Sequence, residues 1–143
     1  MASPVPFPLD PQALERLDHL GREFLADFFG RETVRHPDNL EALAELAHVL
    51  TRLGRLEEGL AADERLVRLA PENPTVHYNL ACSLALLGRP GGALQALARA
   101  VDLGYDDVLH LLDDPDLASL RGEPRFRELV TLLERGGGEP KRP

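Results

Sequence analysis

Apolar residues along this chain recur three and four positions apart, which is the spacing of one face of an α-helix. Within residues 11–35 the apolar residues at this spacing are Leu14, Leu17, Leu20, Phe24, Leu25, Phe28 and Phe29. They cover about half of the helix circumference, more than one packed helix face needs. The pattern predicts one long helix, or two helices broken near Gly21, packed against a helix over residues 40–53. We expect this arc to be used for packing within the chain, with a dimer contact as the alternative.

From residue 40 the chain repeats itself. Residues 40–73 align without a gap on residues 74–107, at a spacing of 34. In this alignment Leu53-Gly54-Arg55 falls on Leu87-Gly88-Arg89. Each unit contains two apolar helical stretches, and the glycine follows the first stretch, where a residue without a Cβ can end a helix in the left-handed conformation. The alignment therefore predicts two consecutive helical hairpins.

A period of 34 residues with two helices in each unit resembles the tetratricopeptide repeat family. In the first unit the resemblance is carried by Leu46, Ala47, Leu50, Gly54, Gly59, Leu66 and Pro71. In the second unit it is carried by Tyr78, Asn79, Leu80, Ala81, Leu84, Gly88, Ala93, Leu97 and Ala100. Gly59 stands where the family usually has alanine, and Asp63 stands where it has an aromatic residue. The resemblance implies an α-solenoid of antiparallel helix pairs, in which small residues let the paired helices approach closely.

The residues after the second unit resemble a segment that closes many bacterial tetratricopeptide arrays. Pro115 and Pro124 can each begin a helix, and either Asp114 or Asp113 can serve as an N-cap. The apolar side of this segment consists of Leu117, Leu120, Phe126, Leu129, Val130 and Leu133. Since a solenoid must cover its terminal stacking face, we predict a C-terminal helical cap.

The predicted fold is a single all-α domain over residues 11–135. Its parts are an N-terminal capping helix (11–35), two repeats (40–73 and 74–107) and a C-terminal cap (108–135). Residues 1–10 are expected to be flexible, and residues 136–143, which are rich in glycine and proline, are expected to be disordered.

Composition and charge narrow the classes of function. The net charge of −8 repels a phosphate backbone and disfavours binding to nucleic acid. The only cysteine, Cys82, cannot form an internal disulfide, so nothing points to an oxidising compartment. Residues 1–11 have neither a basic flank nor an apolar run and do not suit a signal peptide or a membrane anchor. We expect a cytoplasmic protein, bacterial in type, that does not bind membranes.

The sequence contains no pattern that points to catalysis, to a cofactor or to a metal ion. Cys82 is expected in the middle of a helix, without a neighbouring cation that would lower its pKa. His48 lies one repeat from Cys82, which is too far for both to bind one zinc ion. The acidic residues 113–116 lack the glycine and the glutamate of an EF-hand loop and suit helix capping instead. We predict no catalytic residue, no cofactor and no metal site.

The resemblance also implies a binding surface. In this family the first helix of each unit lines a concave groove through its second, fifth, ninth, twelfth and thirteenth positions. In this sequence these positions hold Glu41, Ala44, His48, Thr51 and Arg52, and then Thr75, Tyr78, Cys82, Ala85 and Leu86. Some members grip a C-terminal carboxylate with a Lys and Asn pair, but here Ala44 and His48 occupy those positions. A carboxylate clamp of that kind is therefore not expected.

We predict a protein–protein interaction module, an adaptor or scaffold that holds a peptide or protein segment in its concave groove. Tyr78 and Arg52 are the expected anchors, because a flat aromatic ring and a planar guanidinium are frequent interface contacts. The sequence does not identify the partner. The alternative is a structural protein that assembles with itself, as a homodimer, through Leu20 and Phe29 of the N-terminal helix.

Overall fold

The computed structural model describes residues 10–136, and the regular elements in this range are all helical. The elements are α1 (Pro11–Arg35), α2 (Leu40–Arg52), α3 (Leu56–Leu69), α4 (Pro74–Leu86), α5 (Pro90–Asp102), α6 (Val108–Asp113), a 3-10 helix (Pro115–Leu120) and α7 (Pro124–Gly136). The predicted all-α fold is confirmed. The flexibility predicted for residues 1–9 and the disorder predicted for residues 137–143 concern residues outside the described range.

Short polar side chains define where several helices begin. The backbone N–H of Ala42 donates to Asn39 Oδ1 at 3.0 Å, and the N–H of Thr75 donates to Asn73 Oδ1 at 2.9 Å. Asp10 accepts a hydrogen bond from the N–H of Gln12 at 3.2 Å. These caps satisfy N–H groups that have no partner in the first turn of a helix. Asp10 is therefore part of a helix cap, whereas the sequence placed it in a flexible terminus, and Gly136 ends α7 instead of beginning a tail.

Helix α1 runs unbroken through Gly21 and contacts α2 along one side only. Ala26 and Thr33 are its buried residues, at 6% and 5% exposure. Phe24, on another side of the helix, is 68% exposed. The expectation that the whole apolar arc packs within the chain is therefore wrong. The reason is geometric: α2 is a single helix of 13 residues and covers only one stripe of α1.

The two repeats form the predicted helical hairpins, α2 with α3 and α4 with α5. The turn in each hairpin contains a glycine in the left-handed region, Gly54 with φ 76° and Gly88 with φ 69°. The following arginine N–H then donates to a carbonyl of the first helix, from Arg55 to Leu50 and from Arg89 to Leu84, both at 2.9 Å. A Cβ at either glycine would be strained in this conformation, so the glycines fix the turn.

The helices of the first hairpin approach closely at Gly59. A Cβ built on Gly59 would lie 2.7 Å from Thr51 Oγ1 and 3.4 Å from the carbonyl oxygen of Ala47. Thr51 is itself held there, because its hydroxyl donates to the carbonyl of Ala47 at 2.9 Å. Ala93 occupies the equivalent place in the second hairpin and is fully buried. Small residues at these two positions therefore set the distance between the paired helices.

The largest core cluster joins the second repeat to the C-terminal cap. Residues from α4, α5, α6, the 3-10 helix and α7 all contribute to it, among them Ala81, Leu97, Leu111, Leu117, Leu120, Phe126 and Leu129. A smaller cluster fills the first hairpin and reaches α4 through Val76. The cap therefore shares the core of the repeat that it covers, as the sequence predicts.

The close approach at Gly59 can be tested by substitution. Gly59→Leu should lower the free energy of unfolding by about 1–3 kcal/mol, because the added side chain has no room beside Thr51. Gly91→Leu is the matched control, since a Cβ at Gly91 meets no atom within 4 Å. Urea unfolding followed by circular dichroism measures both. Equal stability of the two variants would contradict the close approach.

The contribution of the cap can be tested on α7. Phe126 is 2% exposed, whereas Leu132 on the same helix is 56% exposed. Phe126→Ala should destabilise the protein by about 3–5 kcal/mol through lost burial and a cavity. Leu132→Ala should change the thermal unfolding temperature little. A Phe126→Ala protein that unfolds at the wild-type temperature would show that α7 is not part of the cooperative core.

Candidate functional site

A pocket of about 320 Å³ lies between α2, α4 and the residues that follow α5. Among the predicted groove residues, those that line it are Ala44, His48, Thr51, Arg52, Tyr78 and Cys82. The other four lie outside it: Glu41 and Thr75 are exposed, Leu86 is half-buried and Ala85 is buried. The first helices of the two repeats thus present one continuous surface.

One wall of this pocket is made by the chain itself. We call residues 105–120, which include α6 and the 3-10 helix, the closing segment; it packs against α4 on the groove side. The Tyr78 hydroxyl donates to Asp114 Oδ2 at 2.6 Å, and the guanidinium of Arg52 contacts Asp116 Oδ2 at 2.5 Å. The second oxygen of Asp114 accepts the N–H of Asp116 at 3.0 Å and caps the 3-10 helix. Asp114 therefore joins the local helix start to the groove.

Tyr78 is covered by aromatic rings from the closing segment. The ring of Tyr105 stacks on it, with centroids 4.4 Å apart and an interplanar angle of 9°, and the His110 ring lies 5.4 Å away. Only 4% of Tyr78 is exposed. The predicted anchor thus binds a segment of its own chain. The sequence left Asp114 and Asp113 as alternative caps. It held no signal for the second contact of Asp114, since Tyr78 lies 36 residues away.

Burial and hydrogen bonding also fix the protonation of this cluster. Burial raises the pKa of Tyr78, and the hydrogen bond to Asp114 raises it further. Burial likewise raises the pKa of the Cys82 thiol, and the negative charges of Asp114 and Asp116 add to the effect. The thiol therefore stays protonated at neutral pH, in which form it is a poor nucleophile and a poor metal ligand.

The structure brings three potential metal ligands together that the sequence did not connect. Atoms of Cys82, Asp114 and Asp116 lie within 4.8 Å of one another. Each carboxylate already has a partner, the Tyr78 hydroxyl for Asp114 and the Arg52 guanidinium for Asp116. A cation would have to displace both partners and remove the thiol proton. The arrangement is explained by hydrogen bonds and an ion pair within the protein.

The open part of the pocket lies beside α2. His48 is exposed there, and the Arg52 side chain is 36% exposed although it pairs with Asp116. Asn79, on α4, is half-buried and also lines the pocket. These three side chains offer hydrogen-bond donors and acceptors around a small apolar patch at Ala44.

Asp63 forms the buried floor of the pocket. It is 3% exposed and accepts a hydrogen bond from the Ser83 hydroxyl at 2.5 Å. Burial raises the pKa of this carboxyl from 3.8 to about 6, although the bond from Ser83 acts in the opposite direction. Asp63 stands where the resemblance leads us to expect an aromatic residue, and a buried hydrogen bond thus joins α3 to α4 at this position.

Comparison with known proteins gives a matching family model and similar curated proteins. A family model described as tetratricopeptide repeat matches residues 22–74 and 45–108. A chloroplastic protein from Arabidopsis thaliana is 35% identical over 84 residues, which is 57% of this chain and 25% of that protein. The chain thus spans a quarter of the length of this relative.

A solved structure has a similar fold. The MamA RS-1 ArsTM double mutant superposes with a TM-score of 0.61 at 19% sequence identity, covering 90% of this chain and 75% of that one. At this identity the similarity establishes the fold alone. Within residues 10–136, no helix combines the length and the apolar character needed to cross a membrane.

The raised pKa of Asp63 predicts a pH dependence of stability. The folded protein holds this proton more tightly than the unfolded chain, so the free energy of unfolding should fall as pH rises from about 4 to above 6. Asp63→Asn removes this titration. The free energy of unfolding at pH 7 minus that at pH 4 should therefore be about 1–3 kcal/mol larger in the variant than in the wild type. Urea unfolding at several pH values measures the difference. Parallel pH profiles for the two proteins would contradict a buried, protonated Asp63.

Proposed function

Because the chain belongs to the tetratricopeptide repeat family, an interaction module, we propose that it holds a segment of another protein in the groove beside α2 and α4. The supporting observation is the pocket at the concave positions of both repeats, with its open side at His48 and Arg52. Sites of this kind combine a small apolar surface with a few polar groups that orient the bound segment.

The groove chemistry favours a neutral or mildly acidic segment. Arg52 can donate to a carboxylate or to a backbone carbonyl, and its partner Asp116 is part of the closing segment. A carboxylate of the partner protein would therefore compete with Asp116 for the same guanidinium. The net charge of −8 slows the approach of a strongly acidic chain, so local contacts must supply the selectivity.

We infer that the protein acts by binding and not by catalysis. The one thiol is buried and protonated, and the carboxylates beside it are held by Tyr78 and Arg52. The acidic composition also argues against a nucleic-acid partner. A bacterial source and a cytoplasmic location stay predictions from the sequence.

The groove assignment can be tested without knowing the natural partner. Peptides selected from a random display library on the wild-type protein should bind at least tenfold more weakly to His48→Ala with Arg52→Ala, a loss of about 1.4 kcal/mol. Amide chemical shifts that change on peptide addition should lie on α2 and α4. Isothermal titration calorimetry measures the affinities.

A convex-face variant supplies the control. Glu64→Ala with Arg68→Ala changes two exposed residues of α3 that do not line the pocket, so peptide affinity should be retained. Circular dichroism should show the same helix content for all three proteins. Shift changes confined to α1 or to α3, with full affinity in the groove variant, would place the binding site elsewhere.

A further inference from the structure

The second half of α1 has the register of the second helix of a repeat. Residues 22–35 lie 34 positions before α3 (Leu56–Leu69), and α1 ends at Arg35 just as α3 ends at Leu69. Pro37 likewise lies 34 positions before Pro71. The chain therefore carries half of a helical hairpin ahead of its first complete repeat.

In the complete repeats, the first helix of each hairpin covers the second. Gly59 lies against Thr51, and Ala62 shares a buried cluster with Ala47. The residues 34 positions earlier than Gly59 and Ala62 are Leu25 and Phe28, which are 42% and 52% exposed. Among residues 10–136, none covers the side of α1 against which a first helix would pack.

The half-hairpin lacks its first helix. The residues at the positions of that helix form the first half of α1 instead, along the same axis. The turn residues Leu53-Gly54-Arg55 correspond to His19-Leu20-Gly21, which are helical. The first half of α1 therefore cannot fold back on the second half. Its own apolar residues Leu14, Leu17 and Leu20 are 49%, 57% and 64% exposed.

We propose that a second copy of this chain covers this face, with the two α1 helices paired antiparallel. The first half of each α1 then lies on the second half of the other and completes two hairpins by exchange. The pairs in contact follow from the first repeat, because each residue of α1 corresponds to the residue 34 positions later. This correspondence places Leu17 of one copy against Leu25 of the other, and Ala13 against Phe28. Exchange of an identical element is a low-cost route to a dimer.

This register is compatible with two-fold symmetry. Leu17 and Leu25 are eight residues apart on one helix, about 12 Å along its axis, so they cannot meet within one copy. In the antiparallel pair both contacts between Leu17 and Leu25 form at once, and the two-fold axis passes near Gly21, midway between them. A Cβ at Gly21 would meet no atom within 4 Å, so this point is free for a close approach.

The charged residues along the edges of this face favour the antiparallel arrangement. Asp18 pairs with Arg22 at 2.8 Å within one copy, and Asp27 pairs with Arg31 at 3.1 Å. In the proposed register Asp18 lies near Arg22 of the other copy, and Asp27 lies near its Arg16. A parallel in-register pair would instead place each charge beside its own kind, which is destabilising.

The face is large enough for a small, specific dimer. Six large apolar side chains on α1 are between 42% and 68% exposed: Leu14, Leu17, Leu20, Phe24, Leu25 and Phe28. A contiguous apolar patch of this kind marks an interaction site. Phe24 and Phe28 add stacked rings to this face, with centroids 6.5 Å apart. The face shares no residue with the groove pocket.

The test is a charge exchange in the full chain, followed by light scattering across a range of protein concentrations. The wild type should be a dimer at high concentration. Leu17→Glu alone and Leu25→Lys alone should each weaken the dimer at least tenfold, because each puts a charge on an apolar surface. The double variant should recover the dimer, since the new carboxylate at position 17 of one copy then meets the new ammonium group at position 25 of the other.

A second measurement reports the register directly. Leu17→Cys and Leu25→Cys proteins, mixed and oxidised, should give a crosslinked dimer in greater yield than either protein alone, and buried Cys82 serves as the internal blank. A wild-type monomer at every concentration would overturn the proposal. So would a dimer that Leu17→Glu leaves intact, or a monomer whose α1 binds only a different protein. Peptide binding in the groove tests the proposed function independently of all these results.

Discussion

The close packing of two antiparallel helices within each repeat is the constraint on which the remaining structure depends. It requires a residue without a bulky side chain at the crossing, and Gly59 and Ala93 meet this requirement. With the paired helices of each hairpin held at this distance, α2 and α4 lie side by side and present their concave positions on one surface. The groove is therefore a consequence of how the hairpins pack, and three of its residues, Tyr78, Cys82 and Ala85, are also part of the main core.

The closing segment connects stability to the shape of the groove. Its apolar residues belong to the main core, while Asp114 and Asp116 reach Tyr78 and Arg52 on the groove side. The same segment thus completes the hydrophobic core and narrows the groove to a pocket beside α2. A partner segment would meet His48 and Arg52 first, because Tyr78 is already covered by Tyr105.

Helix α1 has two different environments along its length and around its circumference. One stripe packs on α2, as a neighbouring repeat would. The other stripe is exposed in the described part of the chain, because the helix continues without a break where a repeat would turn. The conformation of three residues, His19 to Gly21, accounts for this difference. A helix that lacks its hairpin partner has a surface shaped for another helix, and the first half of the same α1 in a second copy has the matching register.

Local features of the sequence were sufficient to predict the helices, the glycine turns and the repeat register, because each depends on residues within a few turns of one another. The concave positions followed from that register, and His48, Arg52 and Tyr78 do line the pocket. Only the tertiary structure decided which stripe of α1 is buried, that Asp63 is paired with Ser83, and that Asp114 reaches Tyr78. The two pairings join residues 20 and 36 positions apart, where the path of the chain and not its periodicity determines which side chains meet.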